Sequence, residues 1–384
     1  MAKVLISVHL GRHFYKFGHS DYEVLLQLGH EVHVAANFGD DLDKFDDPRV
    51  TKHHINFDRS PFSFQNVKAL RELEKLLQKQ HFDLIHTQSP SGGAITRLAA
   101  RKTRKKGTRV IYTAHGFHFF KGAPRKNWLI YFQIEKFLSR FTDCIITINK
   151  EDENTAKDKL LSSQVQYVPG VGIDTGKFKS VSIEKKDQLR KQYGYASNDQ
   201  IIIYVGELSI RKNQKLLIEA MSLVDTGSPM KLLLVGTGIL EVHLKQLVKD
   251  ANLEDTIKFL GYRNDVDNLM GLSDIVISTS LQEGLPLNIL EAMASELPII
   301  ATSCRGNRDL VINNFNGILV GHNAKDIAQA IQSLSNDRKK RITFGQHNKE
   351  IVHQYSKSVI QEKMSKLYEI ELLHTNQYSH LREN

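Results

Sequence analysis

Short runs of consecutive apolar residues recur along the whole chain. Each is followed by a stretch whose apolar positions fall every three to four residues. The runs read as strands at 3–8, 31–36, 84–87, 109–114 and 144–148, then at 201–205, 231–235, 257–260, 275–278, 299–302 and 317–320. The helical patterns cover 66–80, 91–106, 127–141, 213–224, 240–251, 286–295 and 324–335. Strands that are apolar without alternation are buried on both faces, and strand–helix–strand repetition covers a parallel sheet with helices. The pattern therefore predicts an α/β protein with parallel sheets. The turn Pro169-Gly170-Val171-Gly172 marks the linker between a first domain over 1–168 and a second over 169–357.

One segment combines these elements with chemistry: Ser280-Leu281-Gln282-Glu283-Gly284-Leu285-Pro286-Leu287-Asn288-Ile289-Leu290-Glu291. It joins the strand 275–278 to the helix 286–295. Pro286 stands where a first helical residue belongs, since its missing N–H would be unpaired there anyway. The N–H groups from Leu287 onward then open toward an anion such as a diphosphate, favoured by the helix dipole. Glu291 shares a helix face with Leu287 and Asn288 and leans back toward the N-terminus. There it can accept hydrogen bonds from vicinal hydroxyls such as those of a ribose, with Glu283 as a second acceptor beyond the anion. The spacing is equally that of an ordinary loop glutamate and a solvated helix glutamate.

Arg211 and Lys212 follow the strand 201–205, at the carboxyl end where parallel sheets bind ligands. Two cations there can neutralise a pyrophosphate leaving group. They are otherwise two solvated charges before a helix. His115 ends the strand 109–114, Gly261-Tyr262-Arg263 follows the strand 257–260, and Gly11-Arg12 follows the first strand. Gly236-Thr237-Gly238 and Gly170-Val171-Gly172 each lack the third glycine of a dinucleotide fingerprint. Asp265-Val266-Asp267 reads as a structural helix start, Asp being a good cap. The sequence has no P-loop, zinc motif or nucleophile elbow.

The 384 residues suit two domains, each large enough for a core. No apolar run approaches the ~20 residues of a membrane span. The first eight residues read as a strand rather than a signal peptide. Cys144 and Cys304 have no metal-ligand spacing, and Cys144 lies in a strand pattern, so a reducing cytoplasm is expected. The net charge of +9 is uneven: up to Val165 there are 26 Lys and Arg against 18 Asp and Glu. An acidic partner for the first half is therefore expected. Arg97, Arg101, Lys102, Arg104, Lys105, Lys106 and Arg109, with Phe117, Phe119, Phe120, Lys121, Arg125, Lys126 and Trp128, suit an anionic membrane surface. They equally suit a solvated helix face beside a buried aromatic helix. No nucleic-acid module is recognised, so no nucleic-acid partner is expected.

Glu283 and Glu291, with seven residues between them, resemble the E-x7-E motif of retaining glycosyltransferases. Further segments agree in order: YTAHGFHFFKGAP (112–124), NWLIYFQIEKFLSRFTDCIITIN (127–149), VPGVGIDTGKF (168–178), YVGELSIRKNQ (204–214), FLGYRNDV (259–266) and CRGNRDLV (304–311). Together they resemble glycosyltransferase family 4, and the first two resemble bacterial exopolysaccharide and capsule enzymes. The resemblance implies the GT-B fold, two Rossmann-like domains whose parallel sheets face a central cleft, with a helix from 358 to the C-terminus returning to the first domain. It implies a retaining, metal-independent transferase that needs no cofactor. Its donor would be a UDP-sugar, its acceptor a lipid-linked saccharide, and its place the cytoplasmic face of the membrane.

By the same resemblance Arg211 and Lys212 hold the diphosphate with the helix end at Leu287, and Glu291 holds the ribose. Glu283 and His115 orient the sugar. Gly284, Leu285 and Asn288 complete the donor segment, backbone groups at Tyr262 and Arg263 meet the base, and Gly11 borders the phosphate. Two positions depart from the family: Glu207 stands where many members have Arg, and Gly11-Arg12 replaces a glycine pair. A sugar-nucleotide 2-epimerase and a silent nucleotide-sugar-binding subunit are the alternatives.

Overall fold

The computed structural model describes residues 1–16, 19–39, 44–60, 63–225 and 229–380. The chain divides into two compact units, Met1–Gly172 with Ser358–Asn384, and Ile173–Lys357. In the first unit the described strands are β1 (Lys3–Leu10), β2 (Glu31–Asn37), β3 (Val50–His54), β4 (Leu84–Gln88), β5 (Arg109–Ala114), β6 (Cys144–Thr147) and β7 (Gln164–Tyr167). They form one parallel sheet in the order β3-β2-β1-β4-β5-β6-β7. The second unit holds β8 (Gln200–Val205), β9 (Met230–Val235), β10 (Ile257–Gly261), β11 (Ile275–Ser278), β12 (Ile299–Thr302) and β13 (Gly317–Val320), parallel in the order β10-β9-β8-β11-β12-β13. Each sheet reverses its winding once, between β1 and β4 and between β8 and β11. Such reversals open a crevice at the carboxyl edge of the strands.

The apolar runs are buried as expected: Leu5, Val34, Leu84, Ile111, Ile203, Leu233, Val276 and Ile300 have no accessible surface. Each such side chain contributes roughly 1.5–3 kcal/mol. The helix Lys357–His380 belongs to the first unit. Its Ile360, Met364, Tyr368 and Leu372 join the core cluster around Val4, Leu84 and Ile146. The Tyr368 hydroxyl lies 2.7 Å from His86 Nδ1, and the buried Glu371 pairs with Arg109 at 2.6 Å.

β3 and β7 were not expected. They are edge strands, and most of their positions are partly exposed, so neither forms an apolar run. The helix expected over 127–141 is not continuous: a π turn at Trp128–Phe132 separates Arg125–Asn127 from Gln133–Leu138.

Of the basic residues expected at a surface from Arg97 to Arg109, Lys102, Lys105 and Lys106 are exposed and Arg101, Arg104 and Arg109 are half-buried, while Arg97 is turned inward. Arg97 is fully buried, bonded to both carboxylate oxygens of Glu135 and stacked 3.8 Å from the Tyr112 ring centroid. Arg101 pairs with Glu74, and Arg104 and Arg109 converge on Asp143. Phe117 and Phe119 are buried and stack on each other at 4.7 Å. Their acid partners lie on other elements, which is why the charge run read as free. Among the described residues no helix is long and apolar enough to cross a membrane.

Candidate active site

In the second unit the switch point between β8 and β11 collects the predicted donor residues. After β8 the chain runs to Arg211-Lys212 and turns through Asn213, which takes a left-handed φ of 54° before the helix Gln214–Met221. Three carbonyls of this turn are held, two by the neighbouring loop after β11 and one by β8 itself. The Leu281 N–H donates to Arg211 O (2.8 Å), the Tyr204 hydroxyl to Lys212 O (2.8 Å) and the Thr279 hydroxyl to Asn213 O (2.9 Å). The turn is thereby oriented, and its two cations meet one carboxylate. Lys212 Nζ lies 2.7 Å from Glu283 Oε1, and Arg211 donates to Glu283 Oε2 at 2.9 Å. Burial pushes the Glu283 pKa up, but the attraction of Lys212 and Arg211 outweighs it and holds the carboxyl below its usual range. The trio carries a net charge of +1. Lys212 is buried, and Arg211 is the more open cation.

The loop after β12 fixes the Glu283-Gly284 turn from the other side. Buried Arg305 donates from Nε to Glu283 O (3.0 Å), and the Thr302 hydroxyl donates to Ser280 O (2.6 Å). Gly306 has φ 81°, and a Cβ there would lie 2.7 Å from Gly284 O. Only glycine allows this approach.

Pro286 is the N-cap rather than the first helical residue, and the helix runs Leu287–Ala294. Its first bonds go from the Ile289 and Leu290 N–H groups to Pro286 O, so those of Leu287 and Asn288 precede them. The Asn288 side chain is turned inward and donates to Val205 O (2.9 Å), tying the helix to the end of β8. The side-chain amide is thereby engaged within the fold. Leu285 and Leu287 are half-buried and pack against the second unit's core.

Glu291 lies one turn into this helix, half-buried. Burial raises its pKa to about 7, with Lys177 and Lys212 acting in the opposite direction and no hydrogen bond contributing. Among the described residues its carboxyl has no hydrogen-bond partner.

Tyr262 and Arg263 follow β10. The Tyr262 ring is 72 % exposed, and Gly261 O accepts from the Gly236 N–H at 2.8 Å. Arg263 is engaged by Asp265 at 2.8 and 2.5 Å, and the Tyr193 hydroxyl donates to the same carboxylate. Asp265 occupies the N-cap of the helix Val266–Leu272 without a capping bond from its side chain. It clasps Arg263 instead, and its pKa falls to about 2. Among the described residues no group of three or more His, Cys, Asp or Glu is arranged to hold a metal ion.

In the first unit the equivalent edge presents His115 after β5. Its Nε2 lies 2.8 Å from Gln88 Oε1, and Gln88 Nε2 lies 2.6 Å from Asp21 Oδ2. An ionised Asp21 can only accept, which turns the Gln88 amide nitrogen toward it and the amide oxygen toward His115. His115 therefore carries its proton on Nε2 and keeps a lone pair on Nδ1. Surrounding protein lowers the His115 pKa, so the ring is neutral near pH 7, although its surface stays accessible to water. Burial raises the Asp21 pKa to about 6 against the bond from Gln88. His13 adds a second ring, 6.1 Å from that of His115.

Gly11 is buried and donates its N–H to Asn37 O at 2.9 Å. A Cβ there would lie 2.5 Å from Phe38 Cδ1, so this glycine serves close packing. Arg12 beside it is exposed. Sequence reasoning missed Asp21, Gln88, Tyr204, Thr279 and Arg305. Gln88 could have been found as the last residue of a strand at a switch point.

Two units of this topology, with cations, an open helix end and carboxylates at the carboxyl edge, have the build of a sugar-transferring enzyme. The family profile described as Glycosyl transferases group 1 matches residues 185–351, and that described as Glycosyltransferase Family 4 matches residues 22–176. The chain is 38 % identical over 370 residues to the putative glycosyltransferase EpsD of Bacillus subtilis (strain 168), covering 95 % of this chain and 96 % of that protein. It is 31 % identical to an Escherichia coli UDP-Gal:α-D-GlcNAc-diphosphoundecaprenol α-1,3-galactosyltransferase, over 79 % of each chain. The crystal structure of Anabaena HepE in complex with UDP and glucose superposes with a TM-score of 0.78, at 20 % identity, over 96 % of this chain and all of that one. The chain belongs to glycosyltransferase family 4. It is a glycosyltransferase of GT-B fold, with two Rossmann-like domains.

Proposed function

We propose that this protein transfers a sugar from a UDP-sugar to a lipid-linked saccharide in bacterial polysaccharide assembly, with retention at the anomeric carbon and without a metal ion. The observation that carries the reading is the convergence at the β8–β11 switch point. A half-buried carboxyl without a hydrogen-bond partner, Glu291, lies one turn inside an open helix end beside Lys212, Glu283 and Arg211. In this reading the ribose hydroxyls supply the donors that Glu291 lacks. The diphosphate takes the Leu287 and Asn288 N–H groups and shares Arg211 and Lys212 with Glu283. These two cations do the neutralising that a divalent ion does elsewhere, stabilising the departing phosphate.

The acceptor hydroxyl attacks the anomeric carbon on the face from which the phosphate leaves. The new carbon–oxygen bond forms as the bond to the diphosphate breaks, and the hydroxyl proton passes to the departing phosphate oxygen. Glu283 accepts a hydrogen bond from a sugar hydroxyl and holds the ring in place, and the Nδ1 lone pair of His115 is open to a hydroxyl donor at the first unit's own strand edge. The E. coli relative is named for a UDP-sugar donor and a diphosphoundecaprenol acceptor, and HepE is described with UDP. Both names support the donor and acceptor classes proposed here.

The test is calorimetry with UDP and uridine, followed by transfer assays with a panel of UDP-sugars. Glu291→Ala should weaken both ligands by about 1–3 kcal/mol. Lys212→Ala should weaken UDP more than uridine. Transfer should survive EDTA and give a product with the donor's anomeric configuration by NMR. Unchanged UDP affinity in both variants would remove the proposed site. An inverted product, or EDTA inhibition reversed by manganese, would overturn the corresponding part of the mechanism.

A further inference from the structure

Asp21, on the helix His19–Gln27, turns its carboxyl inward, where among the described residues no cation meets it. Its one hydrogen-bond partner there is the Gln88 amide, 2.6 Å away. The titratable groups around it are neutral near pH 7. Burial foremost lowers the pKa of His13 to about 3 and of His115 to about 4, and on the helix Lys357–His380 burial holds the proton on Tyr368. On its own helix Glu23 is turned to Arg49. A charge taken from water without a counter-ion costs stability, and such groups cluster at functional sites. The amide that Asp21 meets is buried and ends β4 at the switch point. Its oxygen lies 2.8 Å from His115 Nε2, and Gln88 is also bonded to His13. A cavity of about 20 Å3, room for one water, touches Asp21, Gln88, Thr113 and His115. The wall behind is fixed, since buried His86 lies 2.8 Å from the Thr113 hydroxyl and 2.7 Å from that of Tyr368. The part with two possible orientations is the Gln88 amide.

We propose that Asp21 and Gln88 are positioning residues that select the tautomer of His115, and that the selection is lost when Asp21 takes up a proton. The ionised carboxylate only accepts, so it holds the amide nitrogen toward itself and the amide oxygen toward the ring. His115 then keeps its proton on Nε2 and its lone pair on Nδ1. A protonated Asp21 can donate as well as accept. The amide is then free to turn over, and its nitrogen donates to Nε2 in part of the molecules. In those the ring gives up a proton at Nε2 and gains one at Nδ1 through water, with no change of charge. Resting on the function proposed above, a substrate hydroxyl that donates to Nδ1 then loses its acceptor. The amide between carboxylate and ring has its own purpose. A carboxylate placed directly on Nε2 would favour the imidazolium, which has no lone pair. Gln88 passes on the orientation without the charge and keeps the ring neutral.

The experiment reads the ring-nitrogen NMR shifts of the full-length protein carrying isotope-labelled histidine. The His115 ring is assigned by its absence from His115→Gln. In alkaline buffer the proton should sit on Nε2. As the pH falls through about 6, where Asp21 takes up its proton, the ring should become a mixture of tautomers. It should stay neutral until about pH 4, so the two events separate. Asp21→Asn should show the mixture at every pH above that, because an amide at position 21 can accept or donate. The same variant should be no less stable to urea than the wild type in alkaline buffer, since it removes an uncompensated charge. Its kcat should fall roughly two- to fivefold, tracking the fraction of rings with a free Nδ1, and the acid limb of the wild-type pH profile should disappear. Asp21→Asn with Gln88→Glu puts the acceptor-only group beside the ring. In alkaline buffer it should restore both the Nε2 proton and kcat, and it should raise the pKa of His115. A tautomer indifferent to Asp21→Asn, or to pH around 6 in the wild type, would overturn the proposal. So would a shifted tautomer with kcat unchanged. The expected spectra with no transfer from any UDP-sugar would instead defeat the proposed function and leave the positioning standing.

Discussion

Glu291 titrates close to neutrality because burial, not a partner, sets its pKa at about 7. A carboxyl with a raised pKa favours the protonated native state. Its charge therefore costs stability above about pH 7, and the cost is relieved as pH falls toward the ordinary value. Glu291→Gln should stabilise the ligand-free protein by up to about 3 kcal/mol in alkaline buffer and have little effect in acid, measured by urea unfolding. If ribose hydroxyls donate to the ionised form, UDP affinity should rise with pH through about 7 and level off above it. Calorimetry in buffers of different ionisation enthalpy should then show proton release near neutrality. The glutamate pair was legible in the sequence from its spacing and its place between a strand and a helix. What Glu283 touches was not, since its cations come from a turn some seventy residues away. Arg263 read as a ligand residue and Asp265 as a cap, yet they hold each other. Two adjacent loop charges do not reveal which neighbour each will find.

The loops at the carboxyl edge depend on one loop's backbone approaching another. Gly306 has φ 81° and a Gly284 oxygen 2.7 Å from where a Cβ would stand. Gly194 has a similar φ of 79° with open space around it. Gly194→Ala should therefore cost about 1 kcal/mol of backbone strain alone. Gly306→Ala should cost about 2–3 kcal/mol and also weaken UDP binding, because it displaces the turn carrying Glu283. Equal losses in urea unfolding would show that crowding at Gly306 is relieved elsewhere. Among the elements, central strands were legible because both faces are buried and the run is continuously apolar. β3 and β7 were not, since an edge strand keeps polar, half-exposed positions. The π turn at Trp128–Phe132 was also hidden, because an apolar pattern records which positions are buried and not a local change of pitch.

Across the whole chain, the helix Lys357–His380 is part of the first unit's core, and one ion pair marks its seat. Arg109 lies on β5, and Glu371, 262 residues later, is 1 % exposed. Arg109→Met should cost about 3–5 kcal/mol by leaving that carboxylate buried without its cation. Adding Glu371→Leu should recover most of the loss, because a well-packed apolar pair can replace a buried ion pair. A double variant no more stable than Arg109→Met would show that packing, and not charge burial, carries the cost.

The sequence by itself determined the α/β class, the two parallel sheets and the strand ends where ligands bind. Those follow from patterns within ten or twenty residues, where burial periodicity and turn chemistry are local. The motif spacing also pointed to the glycosyltransferase family. Only the tertiary structure decided which charges are spent inside the fold and which remain for a partner. Arg97, Arg104 and Arg109 look like Lys126 and Arg140 in composition. The first three meet acids on other elements, and among the described residues the last two make no ion pair. Pairing of that kind is set by contacts between distant segments, and no local pattern encodes it.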